Sequence, residues 1–178
     1  MPEPTTDLVA RARRLRLLLF DVDGVLTDCS VVVSANGDEM KTFSIRDGIA
    51  LLWAKQADLE VGLLSGRPSE ATSRRASELG IDLVIQRGGS KHEHFQALIA
   101  DRGLTAAEVA YMGDDLVDLA VLARVGLSAA PADAVADVRA RVHWVSAHPG
   151  GRGAVREFIE TVLGARGQWD AVVQKHLD

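Results

Sequence analysis

The stretch Arg16-Leu17-Leu18-Leu19-Phe20-Asp21-Val22-Asp23-Gly24-Val25-Leu26-Thr27-Asp28 decides how this chain is read. A short apolar run bounded by a turn signal reads as a buried strand, here Arg16 to Phe20. It leads directly into two carboxylates and a glycine. In an open α/β sheet, ligands collect beyond the carboxyl ends of the strands, so acids at that edge are placed for chemistry. Alternation points Asp21 and Asp23 the same way, and Gly24 allows a turn that a Cβ would resist. In isolation the pattern is open to a second reading, a solvated turn that happens to contain acids, because short motifs match by chance.

Outward from this stretch, similar apolar runs recur at Val61 to Leu64, Leu83 to Ile85, Val109 to Met112, Leu127 to Ala129 and Val142 to Val145. Between them Gly48 to Ala57, Ser69 to Leu79, Lys91 to Arg102 and Leu116 to Arg124 carry apolar residues at helical spacing. Strand and helix therefore alternate, which predicts an α/β fold: a parallel sheet wrapped by helices. One segment interrupts the alternation. Val31-Val32-Val33, then Asn36-Gly37, then Lys41 to Ile45 predicts a β-hairpin around a type I′ turn, projecting after the first strand. Gly153 to Leu163 and Trp169 to Leu177 read as two closing helices of a tail over about 153–178.

Composition bounds the rest. With 178 residues, 47% hydrophobic, 25% charged, and a net charge of −5, the expectation is one globular domain spanning 1–178. A chain of this size buries about 70% of its extended surface, enough for a core without staples. Cys29 is the single cysteine, so no internal bridge and no Cys/His zinc cluster is available, and a reducing, cytoplasmic setting fits. Leu17 to Phe20 is far too short to span a bilayer, and Ala10 to Arg14 lacks the apolar stretch of a signal peptide. Neither secretion nor membrane insertion is expected. The acidic balance and an aromatic content of 4% argue against a broad nucleic-acid surface.

Three further strand ends bear on the acidic turn. Val61 to Leu64 runs into Ser65-Gly66-Arg67-Pro68, where a hydroxyl, free N–H groups and a cation suit a phosphate, although an ordinary helix cap would look the same. Lys91 opens a helix behind Gly88-Gly89-Ser90. A helix N-terminus repels cations, so something negative is expected beside it. Val109 to Met112 ends in Gly113-Asp114-Asp115-Leu116-Val117-Asp118. Asp115 is open to reading as a cap and Asp118 as a solvated helix residue; Asp114 has no such explanation. Acid pair, hydroxyl with cation, lysine and acid pair at consecutive strand ends make chance the minor reading.

In these four motifs the chain resembles the haloacid dehalogenase superfamily of phosphohydrolases. Arg46-Asp47-Gly48, the acidic run Gly113 to Asp118, and Gly150-Gly151-Arg152-Gly153-Ala154-Val155-Arg156-Glu157 resemble more narrowly its small, capless 3-deoxy-D-manno-octulosonate 8-phosphate phosphatases, which serve lipopolysaccharide synthesis. The resemblance implies a Rossmann-like sheet and a Mg²⁺-dependent hydrolysis through an aspartyl-phosphate. Asp21 is then the nucleophile and Asp23 the acid that protonates the leaving sugar alkoxide and later activates water. Asp21, the main-chain carbonyl of Asp23, and Asp114 would hold Mg²⁺, with Asp115 supporting them. Ser65 and Lys91 would stabilise the transferring phosphoryl group. Substrate contacts are implied for Asp23, Ser44, Ile45, Arg46, Asp47, Gly48, Gly66, Arg67, Arg75 and Lys91. Arg75, beside Arg74 on a helix, also fits a solvated face.

One departure bears on substrate. The sugar phosphatases usually carry a glycine and, two positions on, a basic residue where this chain has Ala50 and Leu52. Leu51-Leu52-Trp53-Ala54 looks closer to relatives acting on nine-carbon sialic-type sugar-acid 9-phosphates, whereas Arg67 favours the eight-carbon substrate. Leu52 also leaves open a phosphatase for another small metabolite; a third reading is a non-catalytic regulatory module of the same fold, which the intact Asp21, Asp23, Lys91 and Asp114 oppose. The gaps from Asp23 to Ser65 and from Ser65 to Lys91 leave no room for a lid domain. The resembled family forms homotetramers in which such hairpins assemble and a C-terminal tail reaches a neighbouring site. Gly150 to Gly153 suits such an approach or a loop capping the following helix, and Trp169, Val172, Val173 and Leu177 need a surface on this core or another protomer.

Overall fold

A computed structural model describes residues 6–177. The expected domain limits at Met1 and Asp178 lie outside the described residues. In chain order the elements are α1 (Thr6–Ala12), β1 (Leu17–Phe20), β2 (Val32–Val33), β3 (Glu39–Met40), α2 (Ile45–Gln56), β4 (Glu60–Ser65), α3 (Glu70–Glu78) and β5 (Leu83–Gln86). They continue with α4 (Lys91–Asp101), β6 (Val109–Met112), α5 (Leu119–Leu122), β7 (Leu127–Ala130), α6 (Ala136–Arg139), β8 (Trp144–Val145), α7 (Ala154–Ala165) and α8 (Trp169–Gln174).

β1 is four apolar residues, all buried, and it pairs in parallel with β4 on one side and β6 on the other. The six-stranded sheet has the order β5-β4-β1-β6-β7-β8, every pairing parallel. The two-residue period of a strand sends alternate side chains to opposite faces. Leu18 and Phe20, with Val61, Leu63, Ala110 and Met112, enter the core beneath α2 and α7. Leu17 and Leu19, with Leu64, Val109 and Tyr111, enter the second core, which holds Phe95 and Ile99 of α4. The strand order reverses on either side of β1, so the chain diverges at the β1–β6 edge. That crevice is where a doubly wound sheet accepts ligands. The connections β1 to β4 and β4 to β5 hold the hairpin with α2, and α3, with no separate lid.

Several local expectations are corrected. The hairpin pairs Val32 with Met40 and Val33 with Glu39, so its second arm precedes Lys41. Its turn is not type I′, which requires positive φ at both central residues. Gly37 at φ +87° has it, Asn36 does not, and the Gly37 N–H donates to the Ser34 carbonyl at 3.0 Å. This is a three-residue loop with glycine in the left-handed position. α2 begins at Ile45, three residues before Gly48, because Ser44 caps it by accepting from the Asp47 N–H at 3.2 Å. Leu116 to Arg124 is a 3-10 turn at Leu116–Asp118 followed by one turn of α5, and the last strand is only Trp144–Val145. α1 and α6 lie outside the segments whose apolar spacing predicts a helix. Among the described residues, no helix is long and apolar enough to cross a membrane.

The tail folds onto its own chain. Trp169 of α8 packs edge-on against Trp53 of α2 at 5.5 Å between ring centroids, and Val172 is buried in the same core. Arg156 of α7 lies over the Trp53 ring at 4.0 Å, closing the stack. Val173 and Leu177 remain exposed.

Candidate active site

The acidic turn is built by its own backbone. Thr27 is fully buried; its hydroxyl accepts from the Gly24 N–H at 3.3 Å and donates to the Val22 carbonyl at 3.4 Å, folding the segment back on itself. Gly24 sits at φ +85°, and a Cβ there would collide with the Asp114 carboxylate. The glycine therefore serves both the turn and the close approach of β6's acid. The Gly150-Gly151 loop packs on the same turn, with the Gly151 N–H donating to the Val25 carbonyl at 2.8 Å and no space at Gly150 for a Cβ against the Gly24 carbonyl. Within this chain the loop is docked on the acidic turn.

Beyond β1 and β6 lies a buried charge cluster. Lys91 Nζ donates to Asp21 Oδ2 at 2.5 Å and to Asp118 Oδ1 at 2.7 Å. The Tyr111 hydroxyl donates to the same Asp118 oxygen at 2.6 Å, and the Asp114 and Asp115 N–H groups donate to Asp118 Oδ2 at 3.1 and 3.2 Å. Asp118 is not a solvated helix residue but is wholly buried. Its sequence signal was the spacing Asp115-x-x-Asp118, which forms a capping box around the 3-10 turn. Asp115 itself is exposed and accepts from the Leu116 N–H at 2.7 Å, which is the cap reading rather than a carboxylate inside the cluster.

Oxygen atoms of Asp21, Asp114 and Asp118 lie within 4.8 Å of one another. Lys91 is the one cation paired with them among the described residues. Burial, then the charge of Asp118, pushes the Asp21 carboxyl up to about 7; burial, then Asp21 and Asp118, does the same to Asp114. Burial opposes the Lys91 charge, but Asp21 and Asp118 outweigh it and hold its pKa above the ordinary lysine value. A cluster of hard oxygen donors with excess negative charge fits a divalent cation such as Mg²⁺. Asp118 already spends both oxygens on Lys91, Tyr111 and backbone N–H groups. Asp21 and Asp114 are the better placed to hold the ion.

Asp23 lies one turn further out, with Lys41 Nζ 2.6 Å from Oδ1 and Arg67 Nη2 3.6 Å from Oδ2. Arg67 also pairs with Glu39 of β3, and the Ser69 hydroxyl donates to Glu39 at 2.7 Å. The Ser69 hydrogen bond and Arg67 hold the Glu39 carboxyl below its ordinary value. Ser65 is buried at the end of β4, its hydroxyl exchanging hydrogen bonds with the Arg67 carbonyl and N–H at 3.1 and 3.3 Å. A Cβ on Gly66 would stand 3.7 Å from the Lys91 side chain, so this turn borders the cluster.

The residues around α2 are a different case. Among the described residues no hydrogen bond or ion pair joins Ser44, Ile45, Arg46, Asp47, Gly48 or Arg75 to the acid cluster. Asp47 is buried, and its carboxylate accepts from the Gly153 and Arg156 N–H groups at 3.1 and 2.8 Å, capping α7 from 106 residues away. In this chain its carboxylate serves as a tertiary helix cap. Gly48 leaves room for the Arg75 guanidinium, which bonds Glu78 at 3.1 Å and reaches the Ser44 carbonyl at 3.5 Å. Arg75 is thus neither a solvated face nor turned to the cluster, while Ile45 and Arg46 are exposed.

Comparison with known proteins agrees with this geometry. The family model of haloacid dehalogenase-like hydrolases matches residues 81–159. The 3-deoxy-D-manno-octulosonate 8-phosphate phosphatase of Escherichia coli K12 is 40% identical over 166 residues, 93% of this chain and 88% of that protein. The crystal structure of the same phosphatase from Yersinia pestis is 38% identical, with a TM-score of 0.90 over 93% of this chain and 89% of that one. That from Moraxella catarrhalis, in complex with magnesium, phosphate and the sugar acid, is 32% identical, with a TM-score of 0.94 over 97% and 99%.

Proposed function

Because the chain belongs to the 3-deoxy-D-manno-octulosonate 8-phosphate phosphatase family of haloacid dehalogenase-like hydrolases, we propose that it hydrolyses that sugar-acid phosphate with Mg²⁺. The observation that carries the reading is the buried Asp21–Lys91–Asp118 cluster, with Asp114 packed over Gly24, at the divergence of the sheet. A fixed carboxylate, a fixed ammonium and a pair of oxygen ligands are what phosphoryl transfer to an aspartate requires.

Asp21 attacks phosphorus through a carboxylate oxygen, and the P–O bond to the sugar breaks. Asp23 gives its proton to the departing alkoxide, then takes one from the water that hydrolyses the aspartyl-phosphate. Lys91, held by Asp118, faces the charge that develops on the phosphoryl oxygens. Mg²⁺, when bound by Asp21, the Asp23 carbonyl and Asp114, neutralises charge between nucleophile and phosphate. Arg67, 3.6 Å from Asp23 and partly exposed, is the cation beside it open to substrate, its planar fork suited to the substrate carboxylate. Nine-carbon 9-phosphates are the second reading, on the strength of Leu52, which packs half-buried against the core and offers no cation.

The hairpin supports an assembly of several copies. Val31, Val32, Val33 and Met40 are all exposed on it, an apolar surface that nothing in this chain covers among the described residues. A homotetramer built on these hairpins would enclose the open site. The test of the function is phosphate release from 8-phosphate and 9-phosphate sugar acids by metal-stripped protein with and without Mg²⁺. Release from the 8-phosphate that needs Mg²⁺ and vanishes in Asp21→Asn is expected. Turnover retained by Asp21→Asn would sink the nucleophile assignment.

A further inference from the structure

We propose that Lys41 is a positioning residue for Asp23, so that the hairpin bearing it is part of the acid–base machinery and not only an assembly surface. The inference rests on the reading of Asp23 as the proton donor to the leaving alkoxide. Lys41 follows β3 directly, and its side chain has no exposed surface. Its ammonium forms an ion pair with Asp23 Oδ1 at 2.6 Å that lacks the alignment of a hydrogen bond, donates to Thr72 Oγ1 at 3.5 Å, and has Glu39 Oε1 at 3.7 Å. A buried ammonium is costly to desolvate and is held by the partner that compensates it. Here that partner is Asp23.

The other side of the Asp23 carboxylate faces Arg67 at 3.6 Å, but the Arg67 side chain is 43% exposed and is drawn to Glu39. Of the two cations, only Lys41 is fully enclosed, so it is the stiff brace. Glu39 ties the hairpin to α3 through Ser69, which keeps Lys41 in place. A general acid works only when its oxygen stands within hydrogen-bond reach of the atom it protonates, and a misplacement of about 1 Å costs on the order of 100-fold. Holding Oδ1 of Asp23 against a buried ammonium leaves Oδ2, on the side of the half-exposed Arg67, as the oxygen that faces the leaving group.

The test compares kcat/KM for the octulosonate 8-phosphate, whose alkoxide must be protonated, with kcat/KM for p-nitrophenyl phosphate, whose leaving group needs no proton. Lys41→Met keeps the length of the side chain without the charge, and Lys41→Gln keeps a donor. Taking the ratio of the two substrates within one preparation cancels any fraction that fails to fold. For Lys41→Met we expect a loss of about 100-fold on the sugar phosphate and of less than about 5-fold on the aryl phosphate. Lys41→Gln should recover part of the ratio. Asp23→Asn is measured alongside. If it shows the leaving-group dependence and Lys41→Met loses both substrates equally, the role of Lys41 is overturned while that of Asp23 stands. If Asp23→Asn loses both equally, the reading of Asp23 fails and the role of Lys41 with it.

Discussion

Lys91 and Asp118 form an ion pair at 2.7 Å, with the carboxylate wholly buried. The pair explains why a lysine opens α4, where the helix dipole repels it. Asp118 gathers Lys91, Tyr111 and two backbone N–H groups. Asp118→Ala should leave the Tyr111 hydroxyl and the two N–H groups without this acceptor and Lys91 with Asp21 alone, and cost about 3–5 kcal/mol. The expected result is a lower urea midpoint together with a fall in kcat of at least about 100-fold; an unchanged midpoint would contradict the enclosed pair.

Gly24 and Asp114 share one space. Gly24→Ala adds a Cβ at positive φ where the Asp114 carboxylate lies, so the acid must move. Mg²⁺ affinity measured by calorimetry should drop at least about 10-fold, while the far-ultraviolet dichroism of the sheet and helices is retained. Wild-type affinity in this variant would separate Asp114 from the metal.

The acid cluster makes the metal-free protein less stable as pH rises. Asp21 and Asp114 have folded values pushed up to about 7 from an ordinary 3.8. Between those values the unfolded chain has released protons that the folded chain retains, so this contribution is lost as pH climbs to about 7 and is constant above it. In EDTA, Tm is expected to be lower at pH 8 than at pH 5, and excess Mg²⁺ should restore most of it at pH 8. Asp114→Asn should raise Tm in EDTA at pH 8 by roughly 2–8 °C, for about 1–2 kcal/mol, and abolish the Mg²⁺ effect. A lower Tm for this variant at pH 8 would show that the charge is not a burden.

Asp47 separates two roles cleanly. As a cap of α7, its replacement by alanine costs about 1–2 kcal/mol of stability and leaves KM on the sugar phosphate within about 3-fold. A KM raised about 10-fold or more with stability unchanged would return Asp47 to substrate binding.

The exposed hairpin residues predict the assembly. Val32→Lys with Met40→Lys should shift sedimentation from a multimer to a monomer, because charges on a buried apolar seam are costly. Sedimentation of the parent protein as a monomer would remove the hairpin as an interface.

Much of the site was legible in the chain because its chemistry is local to strand ends. Asp21, Asp23 and Gly24 follow β1 within four residues, Ser65 closes β4, Lys91 opens α4, and Asp114 lies two residues past β6. Short Val, Ile and Leu runs specify buried parallel strands, and the rules of parallel sheets place their carboxyl ends along one edge. Hence the sheet, and the meeting of these motifs, are legible in the sequence.

What only the tertiary structure decided lies in contacts between segments far apart. Asp47 caps a helix whose N-cap lies 106 residues downstream, Lys41 reaches back to Asp23 across the hairpin, and α8 closes on Trp53. The hairpin turn changed type because the backbone of Asn36, and not the identity of the Asn-Gly pair, sets it. A carboxylate in a sequence carries no mark of whether a distant N–H, a buried ammonium or water will meet it. Sequence patterns report burial and backbone preference over one or two turns, and which polar groups are left to satisfy one another is settled when the elements pack.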